Sequence, residues 1–273
     1  MQQKSDLTDR VVELIDYEGG DEVVSWEEIR KKIQEQGDPY TFSSHIPALD
    51  RLLGGFQQGE LIAVSGPRKS GKTLLCQSID RGFWKDDISS LWLQYEVTPR
   101  QFVNTYPKEV SLDMTYTPKS MKAHVLKWAK DRIVEGIVKY GLSVVFIDHL
   151  HFLFEMGKMR NTSLEIGQVV RYLKFLAIEL NIVIFVLCHL RKIEDGKEPT
   201  DADMRDSSLI ASESDVGLLI WRTFESDDSG AMLKVCYSRR TGVMDKRITL
   251  LKQSNGLLYE VDKHSEFHRG NQS

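Results

Sequence analysis

The eight residues Gly66-Pro67-Arg68-Lys69-Ser70-Gly71-Lys72-Thr73 constrain this chain more than any other stretch. They fit G-x-x-x-x-G-K-[ST], a glycine-rich turn whose backbone amides cradle phosphate oxygens. The flanks agree with that reading. Leu61-Ile62-Ala63-Val64 reads as a short buried strand entering the turn, and Thr73-Leu74-Leu75-Cys76-Gln77-Ser78-Ile79 as a helix leaving it. Amides at a helix N-terminus carry partial positive charge and attract anions. In such a loop Lys72 reaches the β- and γ-phosphates of a nucleoside triphosphate and the Thr73 hydroxyl holds Mg²⁺. A glycine turn that holds a lysine by chance is the bland alternative, and a strand and helix in register argue against it.

The remaining pattern fits the same architecture. Leu91-Trp92-Leu93-Gln94-Tyr95, Val144–Ile147, Ile182–Cys188 and Val216–Trp221 read as buried strands. Helical periodicity runs over Ser120–Gly141, with Met121, Val125, Trp128, Ala129 and Ile133 on one side, and again over Ile166–Leu180. Such alternation predicts an α/β fold, a mainly parallel sheet with helices on both faces. Met232–Tyr237, Ile248–Lys252 and Leu257–Val261 predict a late antiparallel set, with Asn255-Gly256 as a hairpin turn. Ahead of this, residues 1–40 are polar. Within them Ser25-Trp26-Glu27-Glu28 predicts a capped helix whose Trp26, Ile29 and Ile33 share one face. That face is expected to bury on its own domain or on a neighbouring subunit. The expected organisation is an N-terminal segment over 1–40, one domain over 41–262 and a frayed tail over 263–273.

Composition narrows the class. With 273 residues, 41% of them hydrophobic, the chain can bury a core without staples. A net charge of −4 argues against a simple polycationic nucleic-acid binder, though not against a locally basic channel. Cys76, Cys188 and Cys236 lie far apart without metal-ligand spacing, and read as thiols in a reducing compartment. No apolar run reaches membrane-spanning length and no signal segment opens the chain. An intracellular protein without membrane contact is therefore expected, in a bacterial or phage-infected cytoplasm or an organellar matrix.

Several polar residues close the predicted strands. Asp148 ends the Val144–Ile147 strand, where a carboxylate beside a phosphate loop would hold the Mg²⁺ hydration shell. Glu96 follows the strand after the phosphate-loop helix, where it could orient or deprotonate an attacking water. An exposed strand-end glutamate is the alternative. His149 and His151 form an H-x-H pair that could ligate zinc, but no third ligand stands nearby in the sequence, so a structural role is expected. His189 ends the next strand, where it could touch a γ-phosphate or be a satisfied, partly buried ring. Arg239-Arg240 is either surface charge or an arginine finger for an adjacent subunit. Lys158 and Arg160 after the Asp148 strand, and Arg191, Lys192 and Arg205 after the His189 strand, are candidate nucleic-acid contacts. Acidic neighbours make a solvated loop the alternative for the second group.

Taken in order, these residues resemble the DnaB-type replicative helicases, and within them the helicase half of phage primase–helicases and of the mitochondrial helicase Twinkle. The resemblance runs from Phe42 to Val261. It rests on Ile46-Pro47-Ala48-Leu49-Asp50, Leu53-Gly54-Gly55-Phe56 and Gly59-Glu60-Leu61 before the phosphate loop, and on the loop itself. It continues through Leu173–Ala177 with Cys188-His189-Leu190-Arg191, Asp203-Met204-Arg205-Asp206-Ser207-Ser208 with Ser214-Asp215, and Ser238-Arg239-Arg240-Thr241-Gly242. It implies a RecA-like domain assembled as a ring, usually a hexamer, with nucleotide between subunits and single-stranded DNA through the centre. Carried over by position, Lys72 and Thr73 bind phosphate and Mg²⁺, Glu96 is the catalytic base and Asp148 the second acidic residue. His189 couples the γ-phosphate to DNA, and Arg239 is a finger supplied in trans. The helix at 26–35 takes the place of a linker helix that packs on the next subunit. Three positions depart from the pattern: Ser208 replaces a glycine, Ser212 a glutamine and Tyr237 a basic residue.

The expectation is therefore an ATP-dependent DNA helicase or single-strand-stimulated ATPase, with ATP or another nucleoside triphosphate and Mg²⁺ as cofactors. A homo-oligomeric ring, single-stranded DNA and a primase or other replication protein are its expected partners. The departures leave open a RecA- or KaiC-like nucleotide-switched oligomeric binding module, or a helicase partner, that does not unwind, and, more distantly, a strand-exchange recombinase.

Overall fold

A computed structural model describes residues 22–37, 39–106, 108–123, 126–153, 162–189, 199, 207–222, 230–253 and 256–261. Two units divide the chain, Met1–Pro39 and Tyr40–Ser273. In the first, helix α1 (Trp26–Gln36) begins where Ser25 Oγ accepts the Glu28 amide, as the sequence predicts, and ends at Gly37 with φ 75°. The expected frayed tail lies outside the described residues.

The second unit carries, in chain order, β1 (Thr41–Phe42), α2 (Pro47–Leu53), β2 (Phe56–Gln57), β3 (Leu61–Gly66), α3 (Lys72–Lys85), β4 (Ser90–Gln94), α4 (Pro99–Val103) and β5 (Thr115–Tyr116). It continues with α5 (Leu126–Tyr140), β6 (Val144–Asp148), α6 (Thr162–Glu179), β7 (Val183–His189), α7 (Ser207–Glu213), β8 (Val216–Arg222), β9 (Gly230–Ser238), β10 (Met244–Lys252) and β11 (Leu258–Glu260). Nine strands form one sheet in the order β11-β10-β9-β8-β3-β7-β6-β4-β5. From β8 to β5 neighbours run parallel, and from β8 to β11 they run antiparallel. This is the predicted α/β architecture.

Alternation along the strands supplies two cores. Ile62, Val64, Trp92, Phe146 and Phe185 face α3, whose Leu75, Cys76, Ile79 and Phe83 close that layer. Leu61, Ala63, Leu93, Val145 and Ile184 face the other way, toward Ala129 and Ile133 of α5 and Val170, Leu173 and Leu176 of α6. Each buried Val, Leu, Ile or Phe among these contributes about 1.5–3 kcal/mol. Trp92, Phe146 and Phe185 stack across three strands at centroid distances of 4.4 and 4.7 Å. Buried Asp80 of α3 accepts from Trp92 Nε1, Tyr106 Oη and Thr115 Oγ1 at 3.1–3.2 Å, which joins the helix to the β4–β5 edge.

Two local readings need correction. The helix expected over Ser120–Gly141 begins only at Leu126. Met121 packs on the second core from an irregular segment, and Tyr95 Oη donates to the Lys122 carbonyl at 3.1 Å, so burial there is met without a helix. Strands β9 and β10 are longer than their apolar stretches because Met244–Arg247 pairs in register with β9 while exposed. The β10–β11 hairpin forms as predicted, with Gly256 at φ 88°, although Asn255 lies outside the described residues.

Candidate functional site

Strand register gathers the site. Gly66 stands opposite His189, Asp148 opposite Leu187 and Gln94 opposite Asp148. The C-terminal ends of β3, β7, β6 and β4 therefore share one edge, the usual place for a ligand in a parallel α/β sheet. Between β3 and α3 the chain turns through Pro67, Arg68, Lys69 and Ser70 to Gly71, whose φ of 100° favours glycine. Arg68 and Lys69 are exposed, and Ser70 is buried with its hydroxyl unpartnered among the described residues.

Lys72 opens α3 and turns back over the loop. Its buried ammonium donates to the carbonyls of Gly66 at 3.0 Å and Pro67 at 2.9 Å. Burial lowers the Lys72 pKa, opposed by the carboxylates of Glu96 and Asp148. An ammonium has three donors, so one remains beyond these two carbonyls.

Thr73 Oγ1 donates to Asp148 Oδ2 at 2.6 Å, and Gln94 Nε2 donates to the same oxygen at 3.0 Å. Asp148 is wholly buried and its Oδ1 has no hydrogen-bond partner among the described residues. Burial raises its pKa, offset in part by the Thr73 and Gln94 bonds. A threonine hydroxyl beside a carboxylate with one unsatisfied oxygen is a hard, all-oxygen donor set, so these residues fit Mg²⁺.

Glu96 follows β4 with its side chain 41% exposed, and its Oε1 lies 3.7 Å from His189 Nε2. Gln94 Oε1 accepts the Glu96 amide at 2.8 Å, so one glutamine braces both acidic residues. Burial, then the Lys72 charge, pushes His189 down to about 3, and burial pushes His149 down to about 4. The two rings meet edge to face, 4.6 Å apart. Sequence reasoning missed Gln94 and the company of His149. Both follow from strand register, which no local motif reports.

Arg239 lies elsewhere. Its amide donates to the Asp215 carbonyl at 2.8 Å, and its guanidinium to the Ser212 carbonyl. Val216 pairs with Ile62 at the entry of β3, four residues before Gly66, or about 13 Å along the strand. Arg239 is thus at the opposite end of the strands from its own phosphate loop. Arg240 is tied down by Glu60 at 2.8 Å and the Gly55 carbonyl at 2.7 Å. Tyr237, at a departing position, lies over Gly217 and shares a 2.7 Å hydrogen bond with Ser214 Oγ. The candidate nucleic-acid residues Lys158, Arg160, Arg191, Lys192 and Arg205 lie outside the described residues. Among the described residues no helix is long and apolar enough to cross a membrane.

Several known proteins are similar to this chain. The replicative DNA helicase DnaB of Pasteurella multocida is 24% identical over 238 residues, 73% of this chain and 51% of its own length. That of Haemophilus influenzae is 22% identical over 253 residues, 79% and 54% respectively. The chain thus spans about half the length of these curated relatives. A solved ATPase domain superposes with a TM-score of 0.74 at 17% identity, covering 88% of this chain and all of that one. A DnaB-like replicative helicase, solved in a study of its interactions with primase, superposes at 0.70 and 17% identity over 92% of this chain and 71% of its own. At such identity the superpositions establish the shared RecA-like fold. The family model for the DnaB-like helicase C-terminal domain matches residues 109–268, more than half of the chain, a range that holds Asp148, His189 and Arg239. This chain belongs to the DnaB-like helicase C-terminal domain family.

Proposed function

We propose that this chain is the motor of an ATP-dependent DNA helicase, hydrolysing nucleotide between subunits of a ring and translocating on single-stranded DNA. The observation that carries this reading is the 2.6 Å contact between Thr73 and Asp148, which joins the phosphate loop to the acidic strand end. Gly66–Thr73 would cradle the triphosphate, and Lys72 would exchange a loop carbonyl for phosphate oxygen. Thr73 and Asp148 would hold Mg²⁺, which supplies charge neutralisation on the transferring phosphoryl group. Glu96 would accept a proton from the attacking water, with Gln94 fixing its backbone. His189, between the loop and Glu96, would report the γ-phosphate to the segment that follows it.

The position of Arg239 requires that any finger role be played on the neighbour's nucleotide. Residues 41–262 form the proposed ATPase domain and residues 1–40 carry the linker-type helix, docked on the next subunit. Lys158, Arg160, Arg191, Lys192 and Arg205 are the proposed DNA contacts, and a primase or other replication protein the proposed partner. The cell interior is the proposed location.

The test is ATP turnover with and without single-stranded oligonucleotide, with Lys72→Ala alongside, and strand displacement on a forked duplex. Turnover that rises with DNA, falls as salt rises and disappears in the variant is expected. No turnover above the variant would overturn the enzyme reading, and turnover without displacement would reduce the protein to a nucleotide switch.

A further inference from the structure

The proposed hydrolysis uses Glu96 and His189 and leaves His149 without a task. These three residues come from three different strand ends, those of β4, β7 and β6, and each offers a ligand atom within 4.8 Å of the other two. Within the set, His189 Nε2 and Glu96 Oε1 stand 3.7 Å apart. Ligands bound tetrahedrally at about 2.0–2.1 Å from zinc stand about 3.3–3.4 Å apart. Closing the set therefore takes up to about 1.5 Å of side-chain movement, for which the half-exposed Glu96 has room. We propose that Glu96, His149 and His189 form a site for a zinc-type transition-metal dication, distinct from the Mg²⁺ position at Thr73 and Asp148.

The donor chemistry selects the ion. Two imidazoles and one carboxylate suit Zn²⁺ or Co²⁺, whereas Mg²⁺ favours oxygen alone. Three protein ligands leave a fourth position for water. The His149 ring is held by Phe152 at 4.9 Å, and Phe152 stacks on Tyr95 at 5.3 Å. The polar restraint on His149 is weak: Nδ1 accepts the His151 amide at 3.3 Å. Metal at Nε2 moves the ring proton to Nδ1 and gives up that one long bond, and metal at Nδ1 replaces it. His149 thus ligates without its H-x-H neighbour His151 and finds its two co-ligands across the sheet.

Occupancy would draw the Glu96 carboxylate onto the metal and slow hydrolysis. That consequence, unlike the site itself, rests on Glu96 being the base.

The test is titration of the full chain with Zn²⁺ alone by calorimetry, and with Co²⁺ as an optical probe. One site per chain is expected, with a Co²⁺ spectrum of nitrogen and oxygen ligation and no thiolate bands, since Cys76, Cys188 and Cys236 are buried. His149→Ala, His189→Ala and Glu96→Ala should each weaken binding more than about tenfold, the minimum loss even for a residue that only orients a ligand. His151→Ala should bind as wild type, and circular dichroism checks that each variant is folded. No Zn²⁺ binding by the wild type, thiolate bands, or undiminished binding by both His149→Ala and His189→Ala would overturn the proposal. Zinc bound as expected with ATP turnover unchanged would uphold the site and overturn the role of Glu96 instead.

Discussion

Asp148→Asn should stabilise the fold while removing Mg²⁺-dependent turnover. The carboxylate is 0% exposed, receives Thr73 at 2.6 Å and Gln94 at 3.0 Å on one oxygen, and leaves the other unpartnered among the described residues. A buried ion costs several kcal/mol after relaxation, taken here as about 5. Two hydrogen bonds to a charged acceptor return about 1.5–3 kcal/mol each. Asn keeps both as neutral bonds of about 0.5–1.5 kcal/mol each, and sets one amide N–H at the unpartnered position at a cost of about 1–3. At the middle of these ranges the balance favours Asn by about 0.5 kcal/mol, or about 1–2 °C in Tm.

The pH dependence has a definite sign. Burial raises the folded pKa of Asp148 above the ordinary 3.8. The stability it contributes is therefore complete below 3.8 and is lost as pH rises through the folded value. The advantage of Asn should grow over that window and then stay level. Thermal denaturation in EDTA by far-UV circular dichroism measures it. A variant less stable than wild type by more than about 1 kcal/mol would refute the reasoning, because the buried carboxylate would then be worth more to the fold than its desolvation costs.

Two further outcomes follow from packing. A Cβ at Gly217 would sit 2.4 Å from the Tyr237 ring, so Gly217→Ala should cost about 1–3 kcal/mol in urea denaturation, and much less in a Tyr237→Leu background. Arg240→Ala leaves the buried Glu60 carboxylate with the Gln57 amide as its remaining partner and should cost about 1.5–3 kcal/mol, whereas Arg239→Ala, exposed at its strand end, should change Tm little.

The legible part of the site was contiguous in sequence. Gly66–Thr73 encodes its own turn, and Val144–Ile147 followed by Asp148 announces a strand end without reference to the rest of the chain. What pairs across strands left no such trace. Gln94 reaches Asp148 only because β4 and β6 are neighbours in register, and His149 meets Glu96 and His189 by the same route. Two-residue strands such as β1 and β2 are too short for a period, and α2 and α4 are each held by a proline start rather than a long apolar face. The early limit of α5 was hidden because Met121 is apolar in helical phase yet buries from an irregular segment. In β10, polar Asp245–Arg247 masked a strand fixed by its partner.

In the proposed ring, one chain supplies the phosphate loop and its neighbour supplies Arg239. Lys72→Ala chains keep the arginine and lose the loop, and Arg239→Ala chains do the reverse. Mixed in equal amounts, they should form hybrid interfaces and hydrolyse ATP well above the sum of the two alone. Mixed oligomers that assemble yet stay at that sum would contradict the account.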